Sequence, residues 1–302
     1  MKLLLRISYC VLLTACTTAT PQIATPTQIF PAPTATQIIN YQLPPSTPNL
    51  QSLASNSPSP NPPILDWKDM PVIPTDIDPS LRKVYELGLS HGNDPHAFSL
   101  FGDCQVRPDE FFGVFETDET LFASLSPDLQ ETIENFRSSF NRESPTAQDG
   151  TTPGALLWTQ WHQGQFTCTS AETPVECELR IHRPSFVIIQ IGSHFESRNT
   201  DYFRRIIEQL LDEGIIPILA TKADNREKDE RVNRDMALLA SEYDLPLWNF
   251  WAAVEDLPNR GLYTRDDRPL KGDIYLTDEA KEIHRMTGLE ALNVVWRLAT
   301  GT

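Results

Sequence analysis

The chain has 302 residues, 40% of them apolar and 22% charged, with 25 basic against 41 acidic side chains and a formal charge of −16. That balance argues against a nucleic-acid partner, which needs clustered Lys and Arg, and against docking on an anionic lipid surface through a basic face. No apolar run reaches the ~18–20 residues that span a bilayer, so a multipass membrane protein is excluded.

Residues 1–15 read as a short secretory signal, with Lys2 and Arg6 ahead of a brief apolar stretch from Ile7 to Leu13. Leu13-Thr14-Ala15-Cys16 resembles the lipobox of a bacterial lipoprotein: an aliphatic residue, two small ones and a cysteine. The resemblance implies cleavage before Cys16, diacylglycerol on its thiol, and an exported protein held on the outer face of the cell membrane, touching lipid only through that anchor. A plain signal peptide with an incidental cysteine is the alternative. Residues 16–65 follow as a stalk. From Thr17 to Leu65 there is no Asp, Glu, Lys, Arg or Gly, and 11 of the chain's 25 prolines lie there. Such a stretch buries no core; in polyproline form it reaches up to roughly 150 Å at ~3.1 Å per residue.

Charge returns at Asp66, and residues 66–302 read as one domain. Ala97 to Phe101 is a short apolar strand ending at Gly102-Asp103-Cys104, and Ser185 to Ile191 is an almost continuous apolar strand ending at Gly192-Ser193-His194. Asp201 to Glu213 carries a helical stripe of Tyr202, Phe203, Ile206, Ile207, Leu210 and Leu211, closed by Gly214. A strand follows over Ile215–Thr221, where Pro217 suggests an edge or a bulge. A helix over Asn233–Tyr243, a strand over Pro246–Phe250 and a closing helix from an N-cap at Thr277 to Arg297 complete the chain. Alternating strands and helices predict an α/β fold: a three-layer, doubly wound sandwich with a parallel sheet and its site at the carboxyl ends of the strands.

At those strand ends, Phe98-Ser-Leu-Phe-Gly-Asp-Cys-Gln105 is similar to the first block of the SGNH/GDSL hydrolases, where a strand runs into Gly-Asp-Ser and the serine is the nucleophile. Ile188-Ile-Gln-Ile-Gly-Ser-His194 resembles the third block, whose Asn donates to the oxyanion. Gly150-Thr-Thr-Pro-Gly154-Ala155 lies where the oxyanion-hole glycine of the second block falls. Lys271-Gly-Asp-Ile-Tyr-Leu-Thr277 resembles the fifth block, Asp-x-x-His before Leu-Thr. The resemblance spans about Ala97 to Leu298 and implies an acyl- or acetyl-ester hydrolase of the cell surface acting on small-molecule or glycan esters, with no cofactor and no metal.

Three positions depart from that pattern. Cys104 stands for the serine, His194 for the Asn and Tyr275 for the histidine, while Asp273 is one residue out of register. The resemblance therefore assigns Cys104, Gly154, His194, Asp273 and Tyr275 to the catalytic centre, with Asp103 and Gly192 in the surrounding substrate cleft, which Lys222 and Asp224 join because they follow the strand ending at Thr221. Cys is intrinsically the better nucleophile, but tyrosine, with a pKa near 10, is a poor general base at neutral pH. A Cys104–His194 pair would restore activation. Two readings stay open: an esterase using Cys104, or a hydrolase fold that has lost its triad and binds a glycan or acyl ligand.

The remaining candidates are structural or peripheral. Cys168 and Cys177 are close enough in sequence for a disulfide in an oxidising compartment, leaving Cys104 unpaired. His91, His96, His162 and His182 show no metal-ligand spacing, and His284 falls on the last helix. Trp158 and Trp161 suggest either a sugar-stacking rim or a packed cluster.

Overall fold

The computed structural model describes residues 66–75, 77–192 and 199–302. Cys16, His194 and the stretches assigned to signal and stalk lie outside them.

The sheet grows from apolar segments that alternate with amphipathic helices. Strand β1 (Asp94–Gly102) follows helix α1 (Leu81–His91) and pairs in parallel with β2 (Pro184–Gln190), every residue of which is buried. Next come β3 (Ile216–Ala220) and β4 (Leu247–Trp248), giving the order β1-β2-β3-β4, all parallel. Beyond β1, Ala147 forms a parallel bridge with Gly102, so the chain leaves β1 towards one side of the sheet and returns as β2 on the other. That reversal is a topological switch point, where ligands of open α/β sheets bind.

Pro217 is not at an edge. It pairs with Val187 inside the sheet. Leu219 and Thr221 donate to the carbonyls of Pro246 and Trp248, so by alternation the missing N–H of Pro217 faces the same side. Pairing with β4 begins only at Leu219, and no donor is needed at Pro217.

Between β1 and β2 run α2 (Val114–Thr117), α3 (Glu119–Ser124), α4 (Pro127–Asn135), α5 (Pro153–Leu156) and α6 (Pro174–His182), which sequence patterning did not resolve. Phenylalanines of this stretch pack on β1: the Phe98 ring lies 4.9–5.8 Å from those of Phe112, Phe136 and Phe140. Helix α7 (Thr200–Asp212) buries Phe203, Ile206, Ile207 and Leu210 but leaves Tyr202 exposed. It packs on β3 with α8 (Arg231–Glu242), while α1 and the long α10 (Asp278–Thr300) touch each other in the opposite layer. The short α9 (Phe250–Ala253) follows β4, and the two-residue strands β5 (Leu262–Tyr263) and β6 (Tyr275–Leu276) form a small antiparallel ribbon ahead of α10. Thr277 caps α10 through Ala280 N–H. Among the described residues no helix is long and apolar enough to cross a membrane.

Candidate functional site

The site forms where β1 and β2 end. Asp103 caps the 3-10 turn Cys104–Val106, its carboxylate accepting from the Gln105 N–H at 3.3 Å and from the Gly192 N–H at 3.2 Å. Asp103 and Gly192 thus latch the two strand ends together. Side chains are excluded from this latch: a Cβ on Gly102 would lie 2.2 Å from Val106 Cγ2, and one on Gly192, at φ +152°, would lie 2.7 Å from Val232 Cγ1. The Gln105 amide donates to the Ile274 carbonyl at 2.7 Å, tying the turn to the segment ahead of α10.

Cys104 opens into a cavity of about 370 Å³ shared with Tyr275 and Gly150. The Tyr275 ring packs 6.0 Å from that of Tyr263, and the Arg265 guanidinium lies 5.2 Å from its centre. Five cationic side chains line the cavity, Arg107, Arg265, Arg268, Lys271 and Lys281, against three acids, Asp109, Glu110 and Asp149. Most of these charges cancel: Arg107 pairs with Asp109 and Asp149 at 3.2 and 3.3 Å, Lys281 with Glu110 at 2.5 Å, and Arg265 with Asp267 at 2.9 Å. Arg268 and Lys271 have no salt-bridge partner among the described residues, which leaves a local positive excess in an acidic chain.

The environment of Cys104 opposes ionisation. Burial pushes the thiol far above its ordinary range, and the negative charges of Asp103, Asp149, Asp224 and Glu110 push it further.

Other residues assigned to the centre are dispersed. Asp273 is exposed and accepts from Asn259 Nδ2 at 3.1 Å and from the Thr264 hydroxyl, outside the Cys104 cavity. Gly154 does not line that cavity either. It sits on α5, where a Cβ would stand 3.2 Å from the Tyr202 ring, so its bareness seats that ring. Gly150, at φ +84°, is the glycine beside Cys104, carried there by the bridge at Ala147. Lys222 and Asp224, expected to face substrate, are buried instead. The Lys222 ammonium is taken by Asp224 at 2.7 Å and Glu227 at 2.6 Å, and its stem packs beside Gly192. Through the Lys222 stem, this ion cluster packs against the end of β2 at Gly192. His194 lies outside the described residues.

Two of the other histidines, His284 and His162, are held within the fold. His284 is fully buried among Phe111, Trp248 and Phe250, with Nε2 2.6 Å from Gln190 Oε1, and burial drives its pKa well below the usual imidazole value. His162 sits between the Glu172 carbonyl and the Gly164 N–H, both at 2.9 Å. Cys168 and Cys177 form a disulfide with Cα atoms 5.3 Å apart.

Sequence reasoning missed Gly150, Tyr263 and the cations. Arg265, Arg268 and Lys271 within seven residues of an acidic chain were the one legible signal; Arg107 and Lys281 reach the cavity only through the tertiary fold.

A doubly wound α/β domain with a strand-end cavity is the class of protein that fold and site define. No protein-family model matches the chain, and no curated protein matches it. Similar solved structures include a GDSL-like lipase from Bacteroides thetaiotaomicron VPI-5482, 16% identical, covering 71% of this chain and 98% of that one at a TM-score of 0.41. A candidate acylhydrolase from Bacteroides fragilis NCTC 9343 is 12% identical, covering 74% and 100% at a TM-score of 0.40. Both likenesses are remote, and no residue role passes from them to this chain.

Proposed function

We propose that this protein is a ligand-binding module on an SGNH-like hydrolase fold, holding an anionic group of its ligand at Arg268 and Lys271 without acyl transfer at Cys104. One observation carries this reading: among the described residues, the thiol shares its cavity with Tyr275 and with carboxylates, while Asp273 is engaged elsewhere. A cysteine nucleophile works as thiolate and needs a cation or base beside it. Here Arg107, Arg265 and Lys281 are paired with carboxylates, and the groups that bear electrostatically on sulfur are acids. The module is placed outside the cell, tethered through lipid on Cys16 and lifted by the proline-rich stretch. Mass spectrometry of the mature N-terminus tests that placement; an unmodified Cys16 would contradict it.

A second reading, ester hydrolysis with Cys104 as nucleophile, draws on the shared cavity of Cys104, Tyr275 and Gly150 at the switch point. Alkylation of Cys104 against pH, together with turnover of short-chain acyl esters, separates the two. Binding without catalysis predicts an inflection above pH 9 and no turnover that disappears in Cys104→Ala. An inflection below pH 7 that moves upward in His194→Asn would overturn it in favour of the esterase.

A further inference from the structure

Beside the Cys104 cavity runs an open groove of about 750 Å³, bordered by Trp158, Trp161 and Tyr202. Trp158 is 53% exposed and Tyr202 37%, whereas the four tryptophans outside the groove are all buried. The groove's floor is of small residues, Thr152, Gly154 and Ala155 among them, and Gly154 leaves the space in which the Tyr202 ring lies. Its charged lining is wholly cationic: Arg205 and Lys271, and no acid, although the chain carries 41 acidic side chains to 25 basic. Neither cation has a salt-bridge or side-chain hydrogen-bond partner among the described residues. Lys271 and Gly150 line both the groove and the Cys104 cavity, so the two are continuous.

We propose that this groove binds a stretch of acidic polysaccharide, its sugar rings lying on Trp158, Trp161 and Tyr202 and its carboxylates meeting Arg205 and Lys271, so that the glycan runs on into the Cys104 cavity. The proposal rests on the anionic-ligand reading above and extends it to a polymer. Pyranose rings offer apolar C–H faces to flat aromatic side chains, which bury large area at little entropic cost. An uncharged glycan would leave two cations desolvated without a partner, which costs affinity. A fatty acyl chain would meet the same penalty. A nucleic acid, charged at every phosphate, calls for a row of Lys and Arg that the groove lacks.

Isothermal titration of the full-length chain with polygalacturonate, with dextran as neutral control, tests the proposal. Binding of polygalacturonate and not dextran is expected, weakening at high salt because exposed ion pairs are screened. Trp158→Ala should lower affinity about tenfold, in line with the loss of one stacking platform, and Arg205→Gln should lower it several-fold. Thermal unfolding confirms that each variant is folded; both sites are exposed and should tolerate the change. Equal binding of dextran, tighter binding of an oligonucleotide or of anionic vesicles, no binding at all, or an unchanged affinity in folded Trp158→Ala would each overturn the groove. Arg268→Gln distinguishes the two proposals. Loss of galacturonate monomer binding in Arg268→Gln, with polymer binding indifferent to Trp158→Ala, would leave the cavity reading standing and remove the groove. Polymer binding that needs Trp158 but ignores Arg268 would do the reverse.

Discussion

Replacing Lys222 by Met removes the cation that pairs with two buried carboxylates, Asp224 and Glu227. The Lys222 side chain is 2% exposed, those of Asp224 and Glu227 are 0% and 4%, and one oxygen of each carboxylate already has no partner among the described residues. Without the ammonium, Asp224 keeps, among the described residues, only the Arg226 N–H at 3.1 Å. Methionine preserves the stem that packs beside Gly192, so the loss is one of charge compensation. Uncompensated buried charge of this kind costs about 3–5 kcal/mol, which in a domain of this size lowers the melting temperature by roughly 6–20 °C. The pH dependence fixes the cause. Burial already raises the Asp224 pKa above its ordinary value, so its favourable contribution is present below about pH 4 and is lost as pH rises through the folded value. The deficit of Lys222→Met should therefore widen between pH 4 and pH 7, followed by urea unfolding at each pH. A loss under ~1 kcal/mol, or one independent of pH, would refute the view that Lys222 is a structural counter-ion.

Three further outcomes are expected. His284 and His182 both have pKa values lowered by burial; the stability of their neutral forms holds above the unfolded value near 6.5 and is lost below it, at up to ~1.4 kcal/mol per pH unit for each group. Denaturation midpoints from pH 7 to 5 should show this slope, and His284→Gln should reduce it. Breaking the nine-residue staple in a Cys168→Ser, Cys177→Ser double variant should cost roughly 2–3 kcal/mol by loop entropy, seen as a lower unfolding midpoint. Tyr275→His brings an imidazole into the Cys104 cavity; the alkylation inflection should fall by at least about one pH unit, and an unmoved inflection would mean that position 275 does not address the sulfur.

What could be read ahead of the structure follows the strength of local pattern. β2, α7, α8 and α10 carry runs or stripes that only one kind of element satisfies, and each lies within a few residues of expectation. The stretch between β1 and β2 does not: Phe111, Phe112, Phe115, Phe136 and Phe140 are core residues on short helices and turns, too brief for a period to show. Cys104 and Tyr275 were legible as a pair because each falls in a block that resembles the SGNH/GDSL pattern, one just past β1 and the other just ahead of α10. Gly150 and Gly154 were not separable by spacing, since the Gly102–Ala147 bridge decides which of them faces the cavity. Lys222 and Asp224 look like cleft residues in sequence; only burial against Glu227 and Gly192 reveals a brace.

The distribution of indoles gives this molecule its own optics. Trp67, Trp248, Trp251 and Trp296 are enclosed, and the Trp248 indole stacks against Phe111 and His284 at 5.8 and 5.2 Å. Their emission should be blue-shifted and out of reach of acrylamide, while Trp158 in the groove emits to the red and is quenched by collision. Intrinsic fluorescence is thereby divided into an interior population that reports folding and an outer one that reports occupancy of the groove, with no label attached.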